Sequence, residues 1–380
     1  MKTAIIGNPS TVTSSGEFLR KFCTLITRLS DATYVINDGY LSGAELNALV
    51  IPATRGLFGK KLKSGSLPIS IANFLLAQTL LGFGLLRCIR KVDIVILFPI
   101  TMVLPALISR LAGKRLVLYE AQDILDQRLS QRRLVRLEYL AMLILRFCVL
   151  SLARHIIVEG PSVPRLSGIE SYSRKILVCP QYVDQVRFRV KTPLRDRPVI
   201  VGFVGALDFR KGALEFAQAV RILAKDPDLS FLIVGAGPLA SAIDLVLGDL
   251  RESGKVELKT FVTNEEMPDL FNKLRLCVMP SISEGLPNTL LEAMACGTPV
   301  LATPVGAVAD VLEDGNTGFI LPFNSPAMVA DHVVRSLNAP GRELVSENAR
   351  NLVEKSYTYE AALQRYQEMF AAVERSNLKR

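Results

Sequence analysis

The chain has 380 residues, 49% of them hydrophobic, with 45 Lys or Arg, 36 Asp or Glu, two histidines and six cysteines. That length exceeds one ordinary domain and suits two of about 150–200 residues. The cysteines are scattered with no C-x-x-C pair, which excludes a disulfide framework and a zinc site and points to a reducing cytosol.

The net charge of +9 is unevenly placed, because residues 1–190 hold 25 Lys or Arg against 12 Asp or Glu, while residues 191–380 hold 20 against 24. A basic first half (+13) joined to a mildly acidic second half (−4) implies an anionic partner for the first half alone. The chain lacks an Arg/Lys-rich block with interleaved aromatics and zinc-finger spacing, so nucleic acid is not the expected partner. An anionic membrane surface is.

In chain order, short apolar runs alternate with longer helical stretches. The start, MKTAIIGNPS, has too short an apolar run for a signal peptide and reads as a strand at 3–8. A Ser/Thr/Gly-rich loop follows, then a helix over 15–30. Residues 67–90 are apolar but interrupted by Asn73, Gln78 and two glycines, and 137–155 carries Glu138 and Arg146. Both read as buried or interfacial helices rather than membrane spans. Strands are expected at 93–98, 115–120, 155–160 and 175–180, each a buried parallel type. On a helical wheel Arg128, Arg132, Arg136, Arg146 and Arg154 fall within about 80° of one another. That is either an interfacial helix, cations toward lipid phosphates, or a core helix with one solvated basic edge. With the +13 half and the apolar 67–90 stretch it points to monotopic membrane association on the cytoplasmic side.

The polar, proline-containing stretch 190–198 reads as a linker. The pattern then restarts, with strands at 199–205, 230–237, 256–261, 276–281 and 299–303 and helices near 211–225, 238–253, 265–274, 287–296 and 307–313. Residues 357–380 read as one terminal helix. The division expected is 1–190, 191–356, and a terminal helix 357–380 packing back towards the first domain. A β/α alternation of this kind makes two doubly wound α/β domains, with ligands beyond the carboxyl ends of the strands, in a cleft between the domains.

The densest motif is SEGLPNTLLEAMACGTPVLAT at 283–303. Pro287 suits a first-turn position and Gly297 a helix stop, so a helix is expected over 287–296. Its N-terminus can hold a phosphate, and Gly285 lets a ligand approach the backbone. Glu284 and Glu292 flank that point. They serve either a sugar and a ribose on the two sides of a diphosphate, or only a helix start and an exposed loop.

This stretch resembles the donor-site signature of retaining GT-B glycosyltransferases of family four (glycosyl transferases group 1). The fixed positions Glu284, Gly285, Leu291, Glu292, Ala293, Met294, Ala295, Gly297, Pro299 and Val300 are all present. VGFVGALDFRKG at 201–212 is similar to the family's glycine loop ending in Lys-Gly, and FLIVGAGP and VELKTFV are similar to the elements that follow. Ala206 stands where the family usually has an arginine, and Ala307 and Asp310 where it usually has Gly and Glu. The first half matches mainly in strand order, plus CPQYVDQVRF at 179–188.

The resemblance implies a GT-B fold, two Rossmann-like domains facing each other across a cleft. It implies transfer of a sugar from a UDP- or GDP-type donor, with retained anomeric configuration and neither metal nor further cofactor. Lys211 is implied as the diphosphate contact, with Arg210 the candidate replacement for the missing arginine. Glu292 would hold the ribose and Glu284 the donor sugar. Gly205, Gly285, Leu286, Pro287, Asn288 and Thr289 would line sugar and phosphate. In the first half Gly16 matches the family's phosphate-contacting glycine. Asp123, with Gln122 and Glu120 behind it, is placed for acceptor contact unless it caps the next helix. The acceptor would be a glycan or lipid-linked molecule. Two other readings stay open: a nucleotide-sugar epimerase or hydrolase of the same fold, and a non-catalytic nucleotide-sugar-binding subunit. His155 reads as structural and His332 as a surface residue. The Asp226-x-Asp228 pair reads as part of a turn rather than a metal site.

Overall fold

The structure, a computed structural model, describes residues 1–7, 13–37, 48–52, 67–98, 101–120 and 135–375. The chain divides into two compact units. One comprises Met1–Glu159, Ser167–Cys179 and Ala362–Arg380, the other Gly160–Leu166 and Pro180–Ala361. Residues 180–190, expected with the first half, belong to the second: Val183 N–H donates to Tyr357 O, and Asn272 Nδ2 donates to Arg189 O.

The first unit has seven strands: β1 (Lys2–Ile6), β2 (Ala32–Asn37), β3 (Leu49–Pro52), β4 (Ile94–Leu97), β5 (Arg115–Glu120), β6 (His155–Val158) and β7 (Ile176–Val178). All paired strands are parallel, in the order β3-β2-β1-β4-β5-β6-β7. Strands buried on both faces need apolar runs, and AIIG, IVIL, LVLY and HIIV supply them. β2 and β3 were not expected from the sequence; both are short. The covering helices are α1 (Thr13–Leu29), α2 (Leu67–Leu86), α3 (Val103–Leu111) and α4 (Val135–Leu152). Gln78, a polar residue in an apolar run, is buried because its Oε1 accepts the Leu104 N–H at the start of α3, 2.9 Å away. That bond satisfies one of the donors every helix start leaves open.

Three first-half expectations change. α1 starts at Thr13, two residues before the helix expected over 15–30, and Gly16 lies in its first turn. The expected arginine stripe breaks at Arg146 and Arg154. α4 begins at Val135 and ends at Leu152, so Arg154 lies past it, and Arg128 and Arg132 lie outside the described residues. Arg146 is buried, 3.0 Å from Glu120 and donating to Ser167 O at 2.6 Å. A carboxylate buried at the end of β5 needs a cation, and Arg146 supplies it rather than facing outward. The same ion pair makes Glu120 a buried structural acid. Asp123 and Gln122 lie outside the described residues.

The second unit carries β8 (Ile200–Val204), β9 (Ser230–Val234), β10 (Val256–Lys259), β11 (Leu276–Met279), β12 (Val300–Ala302) and β13 (Phe319–Ile320), ordered β10-β9-β8-β11-β12-β13 and parallel throughout. After the short α5 (Val163–Leu166), its helices are α6 (Ala213–Leu223), α7 (Ala240–Glu252), α8 (Met267–Lys273), α9 (Asn288–Ala295), α10 (Pro326–Leu337) and α11 (Arg342–Ser356). The terminal α12 (Tyr359–Arg375) carries the chain into the first unit. There Tyr366 is fully buried, its ring 5.7 Å from that of Phe22 and its hydroxyl donating to Cys179 O at 3.3 Å. α11 was not expected. The 307–313 stretch is a 3-10 turn over Gly306–Asp310 rather than an α-helix. His332 is half-buried on α10, its Nδ1 3.1 Å from Met328 O. The strand order reverses direction between β8 and β11, and a crevice opens at such a switch point beyond the strands' carboxyl ends.

α9 ends as the sequence implies. Gly297 has φ +67°, its N–H donates to Met294 O, and Thr298 N–H donates to Ala293 O. Behind this helix end lies Arg197, almost fully buried with no carboxylate partner among the described residues. Its guanidinium donates to Cys296 O (2.7 Å), Leu274 O (3.1 Å), Thr298 Oγ1 (2.8 Å) and Thr192 O (3.0 Å). A cation at the carbonyl ends of α8 and α9 is favoured by both helix dipoles. Burial pushes its pKa down to about 10, still charged at neutral pH. Arg197→Ala strands these carbonyls and is expected to cost about 3 kcal/mol. Scanning calorimetry should show a drop of about 6–12 °C for a unit of this size; a drop under about 2 °C would mean the clamp is idle.

Candidate functional site in the second unit

Two loops meet at the second sheet's switch point. One follows β8 and runs through Gly205 to Lys211; the other follows β11 and runs through Ser281 to Pro287. They are tied backbone to backbone, Ile282 N–H donating to Arg210 O at 2.8 Å. Asp208 Oδ1 accepts the Lys211 N–H at 2.9 Å, which turns the first loop so that Lys211 faces the second.

At the centre is Glu284, 4% exposed. Lys211 Nζ lies 2.5 Å from its Oε1, and Ser281 Oγ donates to the same oxygen at 2.7 Å. Arg210 Nη1 is 3.5 Å from Oε2 and donates to Ser283 O at 3.1 Å. An ionised carboxylate has about four acceptor positions. Oε1 is saturated by an ammonium and a hydroxyl, while among the described residues Oε2 has only a long guanidinium contact. The arrangement fixes the two cations and keeps acceptor capacity on one oxygen.

The helix α9 begins directly after. Pro287 is its cap residue, with φ −67° and ψ 130°, and supplies no capping side chain. The sequence placed Pro287 one position inside the helix; it sits just outside, with Asn288 the first helical residue. Helix starts of this kind attract anions through their N–H groups and dipole. Leu286 and Pro287 are buried, while Gly285, Asn288 and Thr289 are half-buried. Glu292 is half-buried one turn along the same helix, about 6 Å from Asn288 by helical rise. Thus Gly205, Arg210, Lys211, Glu284 to Thr289 and Glu292 gather in one part of the second unit. Gly16 belongs to the first unit, and Asp123 falls outside the described residues.

Three supporting residues escaped the sequence reading. Ser281 orients Glu284, as above. Thr303 Oγ1 donates to Ser281 O and steadies that loop from β12. Gly306, with φ +56°, lies against the Glu284 backbone, where an added Cβ would stand 1.8 Å from Glu284 O. Ala307 N–H completes the seat by donating to Gly285 O at 3.1 Å. The signal for Gly306 was a glycine just past a strand end; nothing local showed what it packs against. Asp310, at the position of the expected glutamate, accepts from Ser162 Oγ at 2.8 Å and from Ser162 N–H, binding residues 160–166 into this unit. Asp226 Oδ1 accepts the Asp228 N–H at 2.9 Å, so that pair closes a turn. Among the described residues no cluster of three or more His, Cys, Asp or Glu could hold a metal ion.

Gly306→Ala should therefore lower the second unit's stability by about 3 kcal/mol, combining left-handed strain with displacement of Glu284. Gly315 is the control, having φ +73° and nothing within 4 Å of an added Cβ. Its alanine variant should lose only the strain, about 1–2 kcal/mol. Equal losses by chemical denaturation would mean Gly306 does not seat the loop.

Residues 198–339 match the family model described as Glycosyl transferases group 1. The alpha-D-kanosaminyltransferase of Streptomyces kanamyceticus is 33% identical over 181 residues, which cover 47% of this chain and 46% of that enzyme. The chain thus spans about half the length of the curated relatives it matches. In fold, the sucrose-phosphate synthase of Thermosynechococcus elongatus aligns with TM-score 0.76 at 18% identity, over 98% of this chain and 100% of that one. The Anabaena protein HepE, solved with UDP-glucose, aligns with TM-score 0.73 at 15% identity over the same shares. These likenesses give the fold: GT-B, with two Rossmann-like α/β domains.

Proposed function

We propose, starting from the match of residues 198–339 to the Glycosyl transferases group 1 model, that the chain is a retaining glycosyltransferase. It moves a sugar from a UDP- or GDP-type nucleotide diphosphate donor to a glycan or lipid-linked acceptor at the cytoplasmic face of a membrane. The single observation that carries this reading is the Lys211–Glu284–Arg210 cluster beside the start of α9. HepE, of the same fold, is solved with UDP-glucose, which supports a nucleotide-sugar donor here.

Cleavage of the glycosidic bond leaves charge on the departing diphosphate. Lys211 and the α9 N–H groups are fixed before the reaction and stabilise that charge without reorganising. Lys211 keeps two N–H donors beyond the one given to Glu284, and Arg210 stands beside it where Ala206 leaves no guanidinium. The open oxygen of Glu284 accepts from a hydroxyl of the donor sugar, and Glu292 accepts from the ribose. Retention follows a front-face course: the acceptor hydroxyl attacks from the side the diphosphate leaves, and a leaving phosphate oxygen takes its proton. The bond to the acceptor oxygen forms as the sugar–phosphate bond breaks. The chemistry needs no metal, since the cations that meet the diphosphate are side chains.

The test supplies UDP-, GDP- and ADP-sugars with membrane lipid extract and follows nucleoside diphosphate release, with the product's anomeric configuration read by proton NMR. One donor should turn over only with acceptor and give retained configuration. Glu292→Ala should weaken nucleotide binding about ten- to a hundredfold, the worth of a charged hydrogen bond. Release without acceptor would instead mean an epimerase or hydrolase. Binding without turnover would mean a non-catalytic subunit.

A further inference from the structure

We infer that the outer face formed by α2, α3 and α4 of the first unit is the docking surface for an anionic lipid bilayer. This rests on the proposed transfer only for the acceptor's whereabouts; the binding itself needs no turnover.

The topology puts these three helices on one side of the sheet. From β3 onward each crossover moves the chain in the same direction, through β4, β5 and β6, and right-handed crossovers then lie on one face. α2 packs on α3 and α3 on α4. At Gly82 an added Cβ would lie 3.1 Å from Ile108 Cδ1, so α2 and α3 are in close contact there. Their outward sides are apolar. Phe83 and Leu86 on α2 are 61% and 51% exposed, Leu111 on α3 is 86% exposed, and Ile144 and Phe147 on α4 are 55% and 64% exposed. A soluble surface rarely carries so many large apolar groups side by side, and such a patch marks an interaction site.

The charges identify the partner. Crossover helices run antiparallel to their strands, so the carboxyl ends of α2, α3 and α4 share one edge of the sheet. Arg87, Arg90 and Lys91 follow α2, Arg110 and Lys114 lie at the end of α3, and Arg154 follows α4. Residues 67–92, 101–119 and 139–158 contain no Asp or Glu. Apolar side chains bordered by cations that outnumber the nearby acids, Asp93 and Glu138, suit the headgroup and acyl boundary of an anionic leaflet. A second copy of this chain would bring the same cationic helix ends, with Glu138 the one acid on the three helices. Among the described residues no helix is long and apolar enough to cross a membrane, which accords with a face lying on the bilayer. The element that carries this is the exposed apolar face and the cationic edge, not the arginine stripe expected on α4.

The experiment is co-sedimentation of the full chain with vesicles of one part phosphatidylglycerol to two parts phosphatidylcholine, against pure phosphatidylcholine, at low and high salt. Wild type should pellet with the anionic vesicles at low salt, and less at high salt as screening grows. Leu111→Asp combined with Phe147→Asp should lower the bound fraction's partition coefficient by about tenfold or more. Leu245→Asp, at an 88% exposed leucine of the second unit, should leave it unchanged. Wild type remaining in the supernatant, or the double variant pelleting like wild type, would overturn the inference. So would light scattering that shows a wild-type dimer split by the double variant. Each variant is also tested for nucleoside diphosphate binding. Lost vesicle binding with nucleotide binding retained confirms a separate surface. Absent vesicle binding in a wild type that binds nucleotide sinks this inference and leaves the transferase reading standing.

Discussion

Glu284 is a carboxylate taken almost wholly out of water, and such a group stays ionised only with cations and donors at hand. Lys211, Arg210 and Ser281 meet that need, and they come from two loops that the sheet brings together. The pairing works in both directions. The acid holds the two cations at a set distance from the start of α9, and the cations offset the cost of burying the acid. A flexible lysine on an exposed loop would have to be ordered by each arriving ligand; this one is ordered already.

The rest of the second unit can be read as what makes that pairing possible. The reversal of strand order between β8 and β11 places both loops at the same carboxyl edge. Gly306 lets the loop after β12 lie against the Glu284 backbone, and Thr303 holds Ser281 from beneath. At the far end of α9 Arg197 takes the carbonyls of two helix ends and ties them to the linker. The helix is thereby held at both ends, by a charge cluster at its start and a buried guanidinium at its finish. Its short length, eight residues, makes that anchoring matter, since an isolated helix so short has little stability of its own.

Much of this was legible in the sequence, unevenly. The strands β4, β5, β6, β8, β9 and β11 stood out because burial on both faces demands unbroken apolar runs. The stop at Gly297 and the acids at 284 and 292 were legible because helix ends and short loops are local. What failed was non-local. Arg146 looked like one tooth of an outward basic stripe, because a helical wheel has no place for Glu120, 26 residues earlier in the chain. Arg197 looked like linker polarity, because all but one of the partners named above lie 77 to 101 residues ahead. Gly306 and Ser281 carry no motif of their own and acquire meaning only from the backbone they touch. β2 and β3 were missed for a different reason: ATYVIN and LVIP are short, so periodicity has little to work on. In the first unit no local motif marks an acceptor site, and Asp123 was chosen by its place after a strand alone.

The most direct test of the central pairing is a double-mutant cycle on nucleoside diphosphate affinity, measured by titration calorimetry for wild type, Lys211→Met, Glu284→Gln and the double variant. If Glu284 holds Lys211 in place for the diphosphate, each single change weakens binding more than about tenfold. The two effects then fail to add, by about 1 kcal/mol or more. Single variants that bind within about twofold of wild type, or losses that simply add, would contradict it: the ion pair would then be a structural contact beside the site rather than the cradle within it.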